Sequence, residues 1–193
     1  RQELSRYSRN ILLPEIGRSG QERLKSSRVV VLGAGGLGSP LLLYLVAAGA
    51  GWIRVVDGDR LDLTNLQRQI LYRTSDVGKA KVALAGQALG DLNPDVHLEA
   101  VEEVFHAGNA LDLISGCNLV LEGFDNFPGK FLANDAAVVS GIPLLSGGIL
   151  RFRGQILGIR PGVTACLRCV FYDQPPAHAV PSCAEAGVIG ALA

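Results

Sequence analysis

Gly33-Ala34-Gly35-Gly36-Leu37-Gly38-Ser39 follows a β-branched run, Val29–Val31, and opens a long apolar stretch. Glycines at this spacing let the backbone turn tightly and bring its N–H groups close to phosphate oxygens at a helix N-terminus. Gly33, Gly35, Gly36 and Gly38 are therefore candidate nucleotide contacts. Asp57 ends a second apolar run about 20 residues on, where a carboxylate can accept hydrogen bonds from ribose hydroxyls. These features specify a nucleotide without saying which one. On these residues alone a nicotinamide dinucleotide, and hence an NAD(P)-dependent oxidoreductase, is the leading reading.

The segment that follows shifts the balance. Asp57-Gly58-Asp59-Arg60-Leu61-Asp62-Leu63-Thr64-Asn65-Leu66-Gln67-Arg68-Gln69 is rich in specific polar side chains, and Val77-Gly78-Lys79-Ala80-Lys81 comes soon after. A dinucleotide needs few cations, because the helix N-terminus serves its pyrophosphate. A triphosphate attacked at one phosphorus needs Arg and Lys on its oxygens and a carboxylate for Mg²⁺. Arg68 and Lys81 are the candidates; the alternative for both is solvated surface charge.

Cys166-x-x-Cys169 has zinc-ligand spacing, but one pair supplies half of a tetrahedral site. A redox pair is disfavoured because no helix N-terminus is expected there. A local set of Cys166, Cys169, His178 and Cys183 is a further possibility. Cys183 lies in a segment marked by Pro175, Pro176 and Pro181, a setting suited to covalent chemistry, with a structural role as the alternative. Cys117 reads as core, His178 as exposed, and His97 and His106 have no partner by spacing.

The elements that must position these groups alternate along the chain. Strands are expected at Val29–Leu32, Trp52–Val56, Val96–Val101, Asn118–Leu121 and Pro143–Ser146. Helices are expected at Gly36–Ala48, Lys79–Leu89, Ala107–Ser115 and Phe127–Ser140, with a glycine-rich hairpin at Gly148–Ile159. That order predicts an α/β fold: a doubly wound, mainly parallel Rossmann-like sheet with an antiparallel C-terminal extension. Ligands bind such sheets beyond the carboxyl ends of the strands. The loops after Leu32, Val56, Leu121 and Ser146 are thus where a site belongs.

Lys plus Arg balances Asp plus Glu at 18 each over 193 residues, so no basic face for nucleic acid is expected. The uncharged stretch from Val29 to Ile53 is long enough to span a bilayer. It contains a strand, six glycines and Pro40, so no membrane segment is predicted. A polar N-terminus without a signal peptide, and four cysteines too few for a secreted scaffold, make the expected compartment cytoplasmic. The chain stops at Ala193 inside a small-residue apolar run, and part of a longer protein is expected.

Taken in order, these motifs resemble those of the ThiF/MoeB family, the bacterial relatives of ubiquitin-activating enzymes. The likeness starts at Arg6-Tyr7-Ser8-Arg9-Asn10 and runs through the glycine loop, Asp57-Gly58-Asp59, Asn65-Leu66-Gln67-Arg68-Gln69 and Val77-Gly78-Lys79-Ala80-Lys81. It continues through Asp125-Asn126-Phe127, Ser146-Gly147-Gly148 with Gly154-Gln155, Cys166-Leu167-Arg168-Cys169 and Ser182-Cys183-Ala184-Glu185-Ala186-Gly187. The resemblance implies that residues 1–193 form a single adenylation domain lacking its C-terminal part. Its implied activity is ATP-dependent adenylation of the C-terminal glycine of a ubiquitin-like sulfur carrier protein ending in Gly-Gly, serving molybdopterin, thiamin or thiolated-tRNA synthesis.

It further implies that Asp57 holds the ATP ribose, that Asn65, Arg68 and Lys81 bind the triphosphate, and that Asp125 places Mg²⁺. Asp59 belongs to the same nucleotide-binding motif. Arg9 would enter a neighbouring subunit's site, giving a homodimer. Cys183 would link to the carrier, move sulfur or serve structure, and Zn²⁺ on Cys166 and Cys169 would be completed by residues beyond 193. Departures cluster at one place: Glu122, Gly123 and Phe124 precede the Asp-Asn pair, and Pro128, Gly129 and Lys130 follow it. A non-catalytic carrier-docking module and an enzyme activating a peptide's own carboxyl remain alternatives.

Overall fold

The computed structural model describes residues 2–174 and 186–192. Six strands form one sheet in the order β3-β2-β1-β4-β5-β6. These are β1 Arg28–Leu32, β2 Trp52–Val56, β3 His97–Val101, β4 Leu119–Glu122, β5 Leu144–Leu150 and β6 Arg153–Ile159. Strands β1 to β5 run parallel and β6 returns antiparallel on β5. Helices α4 (Gly38–Ala48) and α5 (Lys81–Leu92) cover one face, α6 (Ala110–Ile114) and α7 (Phe127–Ser140) the other. The predicted doubly wound sheet with its antiparallel extension is the one observed.

Alternation along β1 explains the two layers. Val29 and Val31 join Leu42, Val46, Val82, Ala85 and Leu89 on the α4–α5 side. Val30 and Leu32 join Ile114, Phe131, Ala133 and Ala137 on the other. A strand buried on both faces reads as a continuous apolar run, as Val29–Leu32 does. The uncharged stretch from Val29 to Ile53 resolves into β1, the glycine loop, α4 and the start of β2. Among the described residues, no helix is long and apolar enough to cross a membrane.

Three short helices precede the sheet: α1 Gln2–Arg6, α2 Ser8–Ile11 and α3 Gly17–Ser26. α1 and α2 span about one turn each and α3 is predominantly polar, and they owe their place to tertiary contacts. Buried Tyr7 accepts a hydrogen bond from Asn93 Nδ2 at 2.7 Å, and Gln21 Nε2 donates to the Ala48 carbonyl at the end of α4, 2.8 Å away. A one-turn helix, α8 (Leu167–Val170), completes the described elements of the α7 side.

Candidate functional site

The sheet order reverses at β1. The chain winds outward through β2 and β3, then re-enters beside β1 as β4, so the loops after β1 and β4 diverge and leave a crevice. Register brings them together: Leu32 pairs with Glu122, and the Gly123 N–H donates to the Leu32 carbonyl at 3.1 Å. The crevice opens into a cleft of about 1490 Å³. Gly33, Gly35, Gly36, Asp57, Asp59, Asn65, Arg68, Lys81 and Asp125 all line it.

Most of these residues are held by local chemistry. Gly33 adopts φ +95°, a left-handed turn that glycine enters without steric cost. Ala34 is clamped from both sides: its N–H donates to Asp57 Oδ2 at 2.7 Å, and its carbonyl accepts from Tyr72 Oη at 2.8 Å. Asp57 Oδ1 accepts from the Asp59 N–H at 2.8 Å. Burial pushes the Asp57 carboxyl above the ordinary aspartate range, outweighing the N–H groups of Asp59 and Ala34 and the Lys81 charge, all of which favour the carboxylate. Burial and the Asp57 charge raise the Tyr72 phenol, so it stays a neutral donor.

Lys81 opens α5 and is 5 % exposed, with its ammonium 2.8 Å from Asp59 Oδ2. Asn65 ends a 3₁₀ turn (Leu63–Asn65) capped by Asp62, whose carboxylate accepts from the Thr64 N–H at 2.8 Å. Asn65 returns the favour by accepting from the Asp62 N–H at 3.2 Å. That capping box fixes the turn that leads into Arg68. Arg68 lies beside Gly36, where an added Cβ would come within 3.1 Å of its Cδ. Asp125 sits in the loop between β4 and α7, exposed and without a hydrogen-bond partner among the described residues. Asn126 caps α7 by accepting from the Gly129 N–H at 2.8 Å.

Two observations bear on what this cleft can hold. Gln69 is 3 % exposed, lines the cleft, and its Oε1 is the buried side-chain polar atom left without a partner among the described residues. Such an acceptor is costly unless water or a ligand's donor, such as a nucleoside hydroxyl or amino group, satisfies it. Gly35 and Gly36 leave the loop backbone bare beside Gln69 and Arg68, in the space a Cβ would fill. Two cations and a partnerless carboxylate are more than a dinucleotide's pyrophosphate requires.

Other expected site residues lie elsewhere. Gly38 is not in the lining; it packs so close to Gly33 that a Cβ there would stand 2.0 Å from the Gly33 carbonyl oxygen. Arg9, on α2, is exposed and outside the cleft of its own chain. Cys183 and His178 lie outside the described residues. Cys166 and Cys169 are apart from the cleft, with their sulfurs 3.7 Å apart. Two thiolates at about 2.3 Å from one tetrahedral ion stand at about that separation. Among the described residues no third ligand joins them.

Contrary to the sequence expectation, Cys166 does precede a helix, the single turn α8. The turn is seated on α7 by two Arg168–Asp135 hydrogen bonds of 2.7 Å, and Asn134 Oδ1 accepts from the Leu167 N–H at 2.8 Å. Burial raises the Cys166 thiol, but hydrogen bonds from Cys169, Arg168 and Asn134 outweigh it and leave the thiol below its ordinary range. Spacing did not reveal Phe105 and His106, which line the cleft, or Tyr72. Ring centroids of Phe105 and Phe124 are 5.8 Å apart. An aromatic after β3 was the available signal for this wall.

Known proteins share this sequence pattern and this fold. The ThiF family matches residues 7–193. The chain is 49 % identical, across its whole length, to the sulfur carrier protein adenylyltransferase of Thermus thermophilus and covers 73 % of that protein. It is 45 % identical over 98 % of its length to the SAMP-activating enzyme E1 of Haloferax volcanii, covering 70 % of it. It is 44 % identical to the adenylyltransferase and sulfurtransferase MOCS3 of Bos taurus, of which it spans only 42 %. The crystal structure of E. coli MccB with ATP superposes with a TM-score of 0.79 at 28 % identity, over 85 % of this chain and 50 % of that one. With its motifs gathered at one switch point and the family match running nearly end to end, this chain belongs to the ThiF family.

Proposed function

We propose that this chain is the ATP-binding domain of an adenylyltransferase that activates the C-terminal glycine of a ubiquitin-like sulfur carrier protein. The convergence of Asp57, Asn65, Arg68, Lys81 and Asp125 on one cleft beside a bare glycine loop carries this reading. The relatives named above as adenylyltransferases support it. The nicotinamide reading loses ground because the cleft holds cations and a partnerless carboxylate that a dinucleotide would not use.

In the reaction, the carrier's terminal carboxylate attacks the α-phosphorus of ATP and pyrophosphate leaves. Arg68 and Lys81 neutralise the negative charge that builds on the phosphate oxygens, and Asn65 orients them. Asp57 accepts hydrogen bonds from the ribose. Mg²⁺ held by Asp125 would supply charge neutralisation and orientation of the phosphates. No side-chain nucleophile is needed for this step; Cys183, with a covalent or sulfur-transfer role, would act after it. Exposed Arg9 supports a homodimer in which each protomer supplies this arginine to the other's cleft. The paired sulfurs of Cys166 and Cys169 are suited to Zn²⁺, with ligands from further along the full chain. The carrier would end in a flexible Gly-Gly tail, and a cytoplasmic setting suits these substrates.

The pH dependence of ATP binding follows from Asp57. Its folded pKa is raised, so its contribution to stability is full below the ordinary aspartate value and is lost as pH rises through the folded value. Ribose binding has the opposite sign, because only the carboxylate accepts both hydroxyls. Loss of a hydrogen bond to a charged group costs about 1.5–3 kcal/mol. ATP affinity should therefore fall about 10- to 100-fold as pH drops through the folded pKa. Calorimetric titration across that range should show the fall at a higher pH than an ordinary aspartate would give. Asp57→Asn should flatten it, and a pH-independent affinity in the unsubstituted chain would remove Asp57 from the ribose.

The test of the function is carrier-dependent ATP–pyrophosphate exchange with the full-length protein and a panel of ubiquitin-like proteins ending in Gly-Gly. Exchange with one carrier establishes reaction and pathway together. Silence with intact ATP binding would point to a peptide carboxylate or a docking module, and silence without ATP binding would return the nicotinamide reading.

A further inference from the structure

Glu122 and Lys130 form the most deeply buried ion pair among the described residues, with side chains 0 % and 12 % exposed. Glu122 ends β4 and Lys130 closes the first turn of α7, so the pair brackets the loop that carries Asp125. The Lys130 ammonium lies 2.9 and 3.3 Å from the two Glu122 oxygens and also donates to the Gly147 carbonyl on β5. Ser146 Oγ donates to Glu122 Oε2 at 2.6 Å, and the Phe124 N–H donates to Glu122 Oε1. One carboxylate thus ties together β4, β5, α7 and the residue immediately before Asp125.

A buried ion pair is a poor device for stability alone, because desolvation opposes the attraction and an apolar pair of similar volume holds a fold as well. Its contacts indicate what else it does. The Asp125 carboxylate has no partner of its own among the described residues, so the backbone on either side must set its position. Asn126 anchors the far side through the α7 cap, and Glu122 anchors the near side through Phe124. Lys130 spends its donors on Glu122 and Gly147, which leaves its ammonium no direct duty toward a phosphate.

We propose that Glu122 and Lys130 are positioning residues: the buried pair, with Ser146, holds the 123–126 loop so that Asp125 meets its metal ion. This rests on the reading of Asp125 given above. The test compares Lys130→Met, Lys130→Arg, the double variant Glu122→Asp/Lys130→Arg, and Ser146→Ala, which removes a single hydrogen bond and keeps the test open if Lys130→Met does not fold. Two readouts are taken on the full-length protein: amide hydrogen exchange over residues 123–127, and Mn²⁺ affinity in the presence of a non-hydrolysable ATP analogue, followed by electron paramagnetic resonance.

Lys130→Met should speed exchange in that segment and weaken Mn²⁺ by roughly 10- to 100-fold, as found when a group orienting a metal ligand is removed. Ser146→Ala should shift both in the same direction by less. Lys130→Arg, alone or with Glu122→Asp, keeps the charge and should restore both. Unchanged exchange and unchanged Mn²⁺ affinity in a folded Lys130→Met protein would overturn the proposal, even if the melting temperature fell. Asp125→Ala separates the two readings. If that substitution leaves Mn²⁺ affinity intact, the metal assignment of Asp125 is wrong, whereas the exchange readout still decides whether the pair holds the loop.

Discussion

Asp125→Ala should lower carrier-dependent ATP–pyrophosphate exchange by about 10²–10³ or more, the cost of losing one preorganised electrostatic contact to a transition state. The fold should barely register the change. Asp125 is exposed and bonded to no described residue, so its removal leaves no buried group unsatisfied. Surface substitutions of that kind stay within about 0.5 kcal/mol, which for a chain of this size moves the melting temperature by about 1–2 °C. The combination is diagnostic. Near-normal exchange would refute the metal role, and a collapse in melting temperature would mean that the loop is held by Asp125 rather than by Glu122.

Gly38→Ala should have the reverse signature, a large loss of stability that takes ATP binding with it. Gly38 begins α4 where the chain returns across Gly33, and an added Cβ would stand 2.0 Å from the Gly33 carbonyl oxygen and 2.9 Å from its carbon. Both are backbone atoms, so no rotamer relieves the contact. Gly33 itself is tied to β2 by its N–H on the Val56 carbonyl at 2.9 Å. Relief must come from moving α4 off the sheet, against the burial of Leu42 and Val46. Overpacking a tight site typically costs about 1–3 kcal/mol, occasionally more, and this clash belongs at or beyond the upper end. At about 2–4 °C per kcal/mol, thermal unfolding should shift down by roughly 6–12 °C or more. Gly36→Ala is the control: its Cβ would meet the Arg68 side chain, which can swing away. A Gly38→Ala protein that melts with the unsubstituted chain would show that the helix start is more yielding than this geometry allows.

The sequence determined by itself whatever depends on neighbours along the chain. Near-continuous apolar runs in Val29–Leu32 and Trp52–Val56 mark strands covered on two faces, because both sets of side chains of such a strand are buried. Phe127–Ser140 reads as a helix, and α7 has those bounds. The glycine loop and Asp57 announce a nucleotide, since only residues without a Cβ let backbone approach phosphate so closely. Even Asp125, Arg68 and Lys81 could be named from ordered motifs.

The tertiary structure alone decided how distant segments meet. Parallel pairing of β1 with β4 brings Gly33 beside Gly123, 90 residues away, and thereby makes one cleft out of separate motifs. Tyr72 reaches back to Ala34 and Lys81 to Asp59 because both segments return to the same sheet end. The N-terminal helices were not legible, since their placement comes from Tyr7 and Gln21 contacting Asn93 and Ala48 rather than from periodicity. Glu122, Phe124 and Lys130 stood out in the sequence only as departures from a pattern. Burial turned Glu122 and Lys130 into a pair, because two opposite charges removed from water must find one another, and which charges are removed from water is settled by packing, not by spacing.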